Sequence, residues 1–339
     1  MGDAFDTKPY IEYDAEIGYR YKPNTRQVLR KPGGGNYEIA INPAGIRSDR
    51  EYSHRKPAGI FRMLVFGDSY VAGQFVSNNQ RFSELLERRN ENLEVINFGL
   101  EGTGTDQQLL LYERIGPNYE HDLVLLFPFL QNIRRNLVEA REGYDPKTGG
   151  RVVRHKPRFE LAGVDLVLHN VPVPQNGQST NTKLPDVTDS NTGVAGQLKA
   201  RLSTIPGAYA VKKALYGVFP WEPFPEYRNS RTPAWQLMEA IIRRFKKGCG
   251  TVPLVIAPVF YDSYVLYRMA RNYWSRFASL SAVPGVYVID LLPHFKRIRP
   301  NAVRAFQRPH DCHFSEFGHV LLANVLEEEL RKRGLLPDS

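Results

Sequence analysis

Five short apolar runs set the strongest limit on how this chain can fold. Each run has five or six residues and is rich in β-branched or aromatic side chains. Near-continuous apolar runs of this length are typical of strands that are buried on both faces of a parallel sheet. The predicted strands are Phe61–Phe66, Leu93–Phe98, Leu123–Phe127, Pro253–Ala257 and Gly285–Ile289.

Helical patterns lie between and after these runs. Apolar side chains recur in them at the spacing of one helix face, as in the final segment of the chain. Alternation of strands and helices predicts an α/β domain with a doubly wound parallel sheet. The predicted helices are Gln80–Arg89, Asp106–Ile115, Trp235–Phe245, Tyr264–Leu280 and Glu316–Arg333.

Two stretches do not fit the alternation. Residues 1–58 are rich in Tyr, Pro, Asn and Gly and are interpreted as an N-terminal extension, with a hairpin around Tyr37–Ile41. Residues 59–339 form the predicted main domain, which an insertion at about 140–231 interrupts between the third and fourth strands. Because ligands bind outside the carboxyl ends of such strands, the insertion is predicted to be a lid or substrate-binding lobe, with a plain surface loop as the alternative.

Composition narrows the classes of partner. The 339 residues carry a net charge of +9 with no recognisable nucleic-acid motif, so no nucleic-acid partner is predicted, and an acidic polysaccharide is a secondary possibility. Cys249 and Cys312 have neither disulfide-framework nor metal-ligand spacing.

With no apolar run of membrane-spanning length and no apolar stretch in Met1–Tyr10, we expect a cytoplasmic location. A periplasmic or extracellular location is the alternative if an N-terminal anchor or signal was removed.

A candidate nucleophile follows the first predicted strand directly. Phe66–Gly73 reads Phe-Gly-Asp-Ser-Tyr-Val-Ala-Gly. Gly67 lets the chain turn sharply where the strand ends, which puts Ser69 at the carboxyl edge of the sheet. A serine at an exposed strand-to-helix turn is suited to nucleophilic attack. Gly-Asp-Ser is also ordinary turn chemistry, so the context of the motif matters.

A candidate base and its carboxylate lie in the loop before the last predicted helix. Catalysis by a Ser-His-Asp set needs a histidine that takes the serine proton and a carboxylate that orients the imidazole. Asp311 and His313 stand two residues apart there. The alternative is a structural role, in which Ser315 caps the helix and His310, His313 and His319 are ordinary polar residues.

Donors for an oxyanion are expected at the ends of the next two strands. Gly102 follows the second strand and can present an unobstructed N–H. The third strand is followed by two amide side chains, Gln131 and Asn132. Convergence of four segments at one sheet edge favours a catalytic site over a set of unrelated turns.

These segments resemble the four sequence blocks of the SGNH/GDSL hydrolase family. Gly67–Ser69 resembles the first block, in which Ser69 is the nucleophile and a backbone oxyanion donor. Asn97–Gly102 resembles the second, in which Gly102 supplies an N–H. Asp311–His313 resembles the last, with a spacing similar to that of members associated with bacterial polysaccharide genes.

The third block departs from the family pattern. Where the family has Gly-x-Asn-Asp at a strand end, this chain has Leu130–Ile133, without the glycine or the following aspartate. Either Gln131 or Asn132 can occupy the position of the donating amide. Residue type favours Asn132 as the third oxyanion donor.

The resemblance implies a flavodoxin-like sheet of about five parallel strands, no metal and no organic cofactor. It also implies a small-molecule or polysaccharide ester as substrate. The leading hypothesis is therefore an esterase that removes a short acyl group, most simply acetyl, from a carbohydrate-like molecule. An O-acyltransferase with the same acyl-serine site and a catalytically degenerate binding protein are the alternatives.

Overall fold

The computed structural model describes residues 8–144, 151–175, 221–298 and 301–337. In chain order the strands are β1 (Ile11–Asp14), β2 (Gly18–Tyr21), β3 (Thr25–Arg30), β4 (Asn36–Ile41), β5 (Phe61–Gly67), β6 (Leu93–Asn97), β7 (Leu123–Phe127), β8 (Ala140–Tyr144), β9 (Arg151–His155), β10 (Arg158–Ala162), β11 (Asp165–His169), β12 (Leu254–Ile256) and β13 (Val286–Val288). The helices are α1 (Ser69–Ala72), α2 (Phe82–Arg89), α3 (Thr105–Ile115), α4 (Asn132–Arg135), α5 (Pro233–Cys249), α6 (Ser263–Leu266), α7 (Asn272–Ala278), α8 (Leu291–Arg297) and α9 (Glu316–Lys332).

A five-stranded parallel sheet forms the centre of the fold. Its strand order is β13-β12-β7-β5-β6, and each neighbouring pair runs parallel. Nearly every side chain of β5, β6, β7 and β12 is buried, which explains their near-continuous apolar sequences. The predicted α/β fold with five parallel strands is confirmed.

The strand order locates the edge at which a ligand site is expected. β5, the first strand of the sheet in the chain, lies between β6 and β7, which come next. Connections leave β5 and β7 toward opposite sides, and sheets of this order bind ligands outside the carboxyl ends of those two strands. Ser69 comes shortly after β5, and Gln131 comes shortly after β7.

One predicted helix is wrong in its extent. Tyr264–Leu280 is divided into α6 and α7, because Tyr267 has an extended backbone (φ −123°, ψ 170°) and the N–H of Ala270 bonds to the carbonyl of Trp221 at 2.9 Å. The short helices α1, α4 and α8 were not predicted, since four to seven residues are too few to display a periodic pattern. None of the described helices combines the length and the apolar character that a membrane crossing requires.

The N-terminal segment packs onto the region that follows α1. Its strands form two antiparallel hairpins, β1–β2 and β3–β4, so the predicted hairpin around Tyr37–Ile41 is confirmed. Arg47 is almost fully buried and donates hydrogen bonds to the carbonyls of Ala72 and Val76, each at 2.5 Å. A buried guanidinium with several carbonyl partners ties the segment to the turn that carries Ser69.

The predicted insertion is described only in part. Residues 145–150 and 176–220 lie outside the described residues, and the remainder includes the hairpins β8–β9 and β10–β11. Phe159 of β10 is fully buried, and the guanidinium of Arg244 on α5 lies 5.0 Å from its ring centroid. This part of the insertion therefore packs against the α/β core. Its proposed role as a lid stays a prediction, as does the division of the chain at residue 58.

Candidate active site

The turn after β5 places one serine at the carboxyl edge of the sheet. The Asp68 carboxylate accepts a hydrogen bond from the Tyr70 N–H at 3.1 Å and caps α1, which begins at Ser69. A Cβ at Gly67 would lie 2.3 Å from Cγ2 of Val71, so the turn has room only for glycine there. The Gly-Asp-Ser sequence thus fixes where the serine side chain emerges.

A continuous chain of hydrogen bonds joins Ser69, His313 and Asp311. The Nε2 atom of His313 lies 2.7 Å from Oγ of Ser69, and its Nδ1 atom lies 2.5 Å from Oδ1 of Asp311. An ionised carboxylate only accepts hydrogen bonds, so Nδ1 carries the proton and Nε2 is left to accept from the serine hydroxyl. The structure brings all three predicted residues into the arrangement that proton removal from a serine requires.

Local hydrogen bonds keep the Asp311 carboxyl ionised. Burial alone would raise its pKa, but hydrogen bonds from the side chain and backbone of His313, together with the electrostatic attraction of that side chain, outweigh burial and lower the pKa below its ordinary value. The backbone bond, from the His313 N–H to Oδ1, is 2.8 Å long. The carboxylate is therefore available to orient the imidazole at all pH values near neutrality.

Two aromatic rings pack against the imidazole of His313. The ring centroid of Tyr70 lies 4.7 Å from that of His313, and the ring of Phe75 meets it edge-on at 5.7 Å. The Tyr70 hydroxyl donates to the carbonyl of Cys312 at 3.2 Å, which fixes the loop between the two catalytic candidates. These contacts restrict the rotation of the imidazole ring.

The other histidines of the C-terminal cluster have different surroundings. His319 is buried at the start of α9, where its Nδ1 accepts a hydrogen bond from the Phe82 N–H at 3.3 Å. Burial, aided by the charges of Arg81 and Arg47, lowers its pKa to about 3, so it stays neutral. His310 is exposed. Of the three, His313 alone contacts the serine among the described residues.

A cavity of about 340 Å³ opens beside the serine. Ser69, His313 and Gly102 all line it. Neither the Ser69 N–H nor the Gly102 N–H donates a hydrogen bond to another described residue. Gly102 has a positive φ of 78°, which glycine adopts without strain. Two backbone donors are thus available at the wall of this cavity.

The two candidate amides after β7 lie in different places. Gln131 lines the cavity, and its Oε1 accepts from the Tyr261 hydroxyl at 2.8 Å. Asn132 is fully buried, with Nδ2 donating to Thr105 at 3.2 Å and Oδ1 accepting from Arg135 at 3.2 Å. The structure brings Gln131, and not Asn132, to the cavity beside Ser69.

Sequence reasoning missed a set of cations on the wall of this cavity. We call the arginines Arg135, Arg141 and Arg154 the cationic wall; all three line the cavity. They come from α4, β8 and β9, two of which belong to the stretch that was interpreted as an insertion. The pair Arg134–Arg135 is visible in the sequence as a charge cluster, but no spacing links it to residues of a later hairpin.

Among the described residues, one group has atoms close enough to hold a metal ion. The candidate ligand atoms of Asp311, Cys312 and His313 lie within 4.8 Å of one another. Burial raises the pKa of the Cys312 thiol to about 11, so the thiol is protonated at neutral pH. The ring nitrogens of His313 already contact Asp311 and Ser69. The group suits proton transfer better than metal binding, because a metal ligand needs a thiolate and an unengaged imidazole nitrogen.

Comparison with known proteins gives a distant likeness at the level of structure. No protein-family model matches the chain, and no curated protein sequence matches it. A member of the lipolytic protein G-D-S-L family from Veillonella parvula DSM 2008 is 12% identical and covers 80% of this chain and 99% of its own, with a TM-score of 0.42. A lipase/acylhydrolase from Enterococcus faecalis is 16% identical, covers 83% and 100%, and has a TM-score of 0.43.

A salicylyl-acyltransferase from a tetracycline biosynthetic pathway is also similar. It is 11% identical and covers 83% of this chain and 58% of its own, with a TM-score of 0.41. Because these TM-scores lie below 0.5, we base the fold on the strand order of this chain and the site on its own interatomic distances.

Proposed function

We propose that this protein is a serine hydrolase of the SGNH/GDSL kind that cleaves an ester through Ser69, His313 and Asp311. The observation that carries the proposal is the unbroken hydrogen-bond chain from the serine hydroxyl to the carboxylate, at the wall of a ligand-sized cavity. A catalytically degenerate binding protein would have no chemical need for this complete arrangement.

Acylation begins when Oγ of Ser69 attacks the ester carbonyl carbon. The hydroxyl proton passes to Nε2 of His313, and the imidazolium is stabilised by Asp311. The N–H groups of Ser69 and Gly102 donate to the carbonyl oxygen as it becomes an oxyanion. The carbon–oxygen bond to the alcohol then breaks, and His313 returns the proton to the departing alcohol oxygen.

Deacylation repeats these steps with water. His313 takes a proton from a water molecule whose oxygen attacks the acyl-serine carbonyl. The bond to Oγ breaks, the proton returns to Ser69, and the carboxylic acid leaves. An acceptor alcohol in place of water would give acyl transfer, so products measured with and without an added alcohol separate the two outcomes.

We assign the third oxyanion position to Gln131. Support comes from its place in the cavity lining beside Ser69 and from the hydrogen bond that its Oε1 accepts from the Tyr261 hydroxyl, which holds the amide at the cavity wall. Asn132 suits a structural role, because both ends of its amide have buried partners.

The substrate that fits the cavity best is a small ester, and we propose a short acyl group on a carbohydrate-like alcohol. Ligand sites commonly occupy roughly 300–1,000 Å³, so a cavity of about 340 Å³ favours an acetyl group over a long chain. The aromatic side chains of Tyr70, Phe129 and Tyr261 provide an apolar lining beside the serine.

The test is hydrolysis of p-nitrophenyl esters from acetate to longer chains. We expect turnover that falls with chain length in the wild-type protein and is lost in Ser69→Ala. Ser279→Ala, which changes an exposed serine far along the chain, is the matched control and should behave as wild type. Hydrolysis retained by Ser69→Ala would overturn the assignment of the nucleophile.

A further inference from the structure

Three arginines line one cavity, and two of them, Arg141 and Arg154, stand directly opposite each other across the hairpin β8–β9. Burial raises the pKa of the Tyr19 hydroxyl to about 12. The positive charges that act against burial there are those of Arg141, Arg154 and Arg135. The Tyr19 hydroxyl donates to the carbonyl of Glu101 at 2.7 Å, next to Gly102. The cationic wall therefore lies beside the proposed oxyanion donors.

The three arginines differ in what they bind. Arg135 donates to the buried carboxylate of Asp68 at 2.7 Å and to the carbonyl of Thr103 at 3.2 Å, so its guanidinium is part of the framework of the site. Arg141 donates to the carbonyl of Gly102 at 2.6 Å. Each of these contacts fixes a segment that lines the cavity.

Arg154 has donors that the described residues do not use. Its Nε is buried without a hydrogen-bond partner, and the residue forms no ion pair within the described part of the chain. A guanidinium has five N–H donors in a planar fork that matches a carboxylate or a phosphate. The terminal NH₂ groups of Arg154, which bond to no described residue, are the donors that an anionic ligand in the cavity can reach.

The acidic residues around the cavity already form ion pairs with other cations. Glu101 is the one carboxylate among the described lining residues, and it pairs with Lys8. Asp106, fully buried beneath the wall, pairs with Lys156. The positive charge of Arg154 is therefore not offset by a carboxylate of the described lining, and the cavity attracts anions.

We infer that the ester substrate carries an anionic oxygen group, a carboxylate or a phosphate, that Arg154 binds beside the scissile bond. The inference rests on the proposed function for the place of the ester and deepens it by naming the charge of the substrate. Arg141 and Arg135 add to the field that this group meets. Arg154 thus determines specificity while Ser69 and His313 carry out the chemistry.

The test compares three acetylated sugars that differ at one carbon. At carbon 6, acetylated methyl glucoside is neutral, acetylated methyl glucuronoside carries a carboxylate, and acetylated methyl glucoside 6-phosphate carries a phosphate. We expect kcat/KM for acetate release by the full chain to favour at least one anionic sugar over the neutral one by roughly tenfold to a hundredfold, as for a hydrogen bond to a charged group. The anionic sugar with the higher kcat/KM shows whether the site prefers a carboxylate or a phosphate. Equal rates, or a preference for the neutral sugar, would overturn the inference.

Variants assign the preference to the residue. Arg154→Gln should reduce the ratio of kcat/KM for the anionic sugar to kcat/KM for the neutral sugar by about tenfold or more. Arg154→Lys should retain part of this preference because the charge remains. Arg158→Gln is the matched control, since Arg158 lies on the next strand, pairs with Glu139 and does not line the cavity. An unchanged ratio in Arg154→Gln would contradict the inference.

Binding to Ser69→Ala separates this inference from the proposed function. Titration calorimetry with the three sugars should give tighter binding of the anionic sugar, which Arg154→Gln in the same background removes. Such binding without any hydrolysis by the wild-type protein would refute the proposed function and keep the inference. Hydrolysis that depends on Ser69 but ignores charge would do the reverse.

Discussion

Two parts of the cavity wall are built in different ways: the catalytic side, with Ser69, Asp311 and His313, and the side formed by the cationic wall. On one side, Ser69 and the loop of Asp311 and His313 stand on short turns at the edge of the sheet and make hydrogen bonds to one another. On the other side, the cationic wall comes from α4 and the hairpin β8–β9, and two of its arginines, Arg135 and Arg141, bond to backbone carbonyls and a buried carboxylate. We propose that the first side breaks the ester bond and that the second recognises the substrate.

This difference shows which parts of such a site local sequence can reveal. The catalytic candidates occupy two short motifs whose chemistry is readable from residue types a few positions apart. The wall is an assembly of single residues from separate segments, and only the folded chain brings them together. Experiments that disturb the two sides should therefore have distinct signatures, in rate for the first and in substrate preference or folding stability for the second.

The largest expected effect is on the catalytic side. Asp311→Asn replaces an acceptor-only carboxylate with an amide that can favour the wrong imidazole tautomer, and we expect kcat to fall by about 10⁴-fold. The measurement is the rate of p-nitrophenyl acetate hydrolysis. Asp165→Asn, at an exposed position of β11, is the control and should keep wild-type rates. A loss smaller than tenfold would show that Asp311 does not orient His313.

A large effect on stability is expected beneath the wall. Lys156 and Asp106 are both buried and pair with each other, and the ammonium also donates to the carbonyls of Val138 and Pro157. Lys156→Met leaves a buried carboxylate without its partner, so we expect the free energy of unfolding to fall by about 3–5 kcal/mol in urea titration.

Two further variants check that prediction. Lys156→Met combined with Asp106→Asn should recover part of the lost stability, because no unpaired charge remains. Lys332→Met, at the exposed end of α9, should leave the unfolding midpoint unchanged. If Lys156→Met is as stable as wild type, the pair does not support the wall.

The adjacent amides give a comparison within a single turn. Gln131→Ala should lower kcat by about 10²–10³-fold, because one oxyanion donor is lost. Asn132→Ala removes an amide that bonds to Thr105 and Arg135, so we expect a loss of about 1–3 kcal/mol in unfolding free energy. Rates and urea midpoints of both variants provide the measurement. A larger loss of kcat in Asn132→Ala would return the third donor to Asn132.

The last comparison concerns the pH dependence of stability at His319, close to the loop that carries His313. His319 has a pKa of about 3 in the folded protein and an ordinary value of 6.5, so between these values only the unfolded chain binds the proton. Its contribution to stability is complete above pH 6.5 and is lost as the pH falls toward 3, with a slope of about 1.4 kcal/mol per pH unit. Urea unfolding between pH 7 and 4 measures the slope.

Substitution of the histidine assigns that slope. His319→Gln should remove this contribution, whereas His310→Gln, at an exposed position, should leave the pH dependence as in wild type. If the two variants have the same slope as wild type, the buried imidazole is not the group that titrates.

The fold was largely predictable because its strands are buried. The runs at Phe61–Phe66 and Leu123–Phe127 are continuous in apolar residues, and this pattern is characteristic of the interior of a parallel sheet. The helix predicted over Tyr264–Leu280 failed because a contact distant in sequence, between Ala270 and Trp221, imposes an extended segment that local periodicity does not reveal.

The site was predictable to the extent that its motifs are local. Ser69, Asp311 and His313 lie together as the sequence suggested. The choice between Gln131 and Asn132 was made by residue type, but the direction of each side chain depends on the helical backbone at Gln131, which begins the turn into α4. Arg154 could not be recognised as a binding residue from the sequence. Only the tertiary structure shows that it lines the cavity and that its Nε has no hydrogen-bond partner.

The central claim, that Ser69 forms a covalent acyl-enzyme, is tested most directly by trapping that intermediate. The full chain is mixed with p-nitrophenyl acetate, quenched in acid within the first turnovers, digested, and analysed by peptide mass spectrometry. The account predicts an acetyl group on the peptide that contains Ser69, and its absence in Ser69→Ala. Ester hydrolysis with no adduct on Ser69, or with the adduct on another residue, would contradict the account.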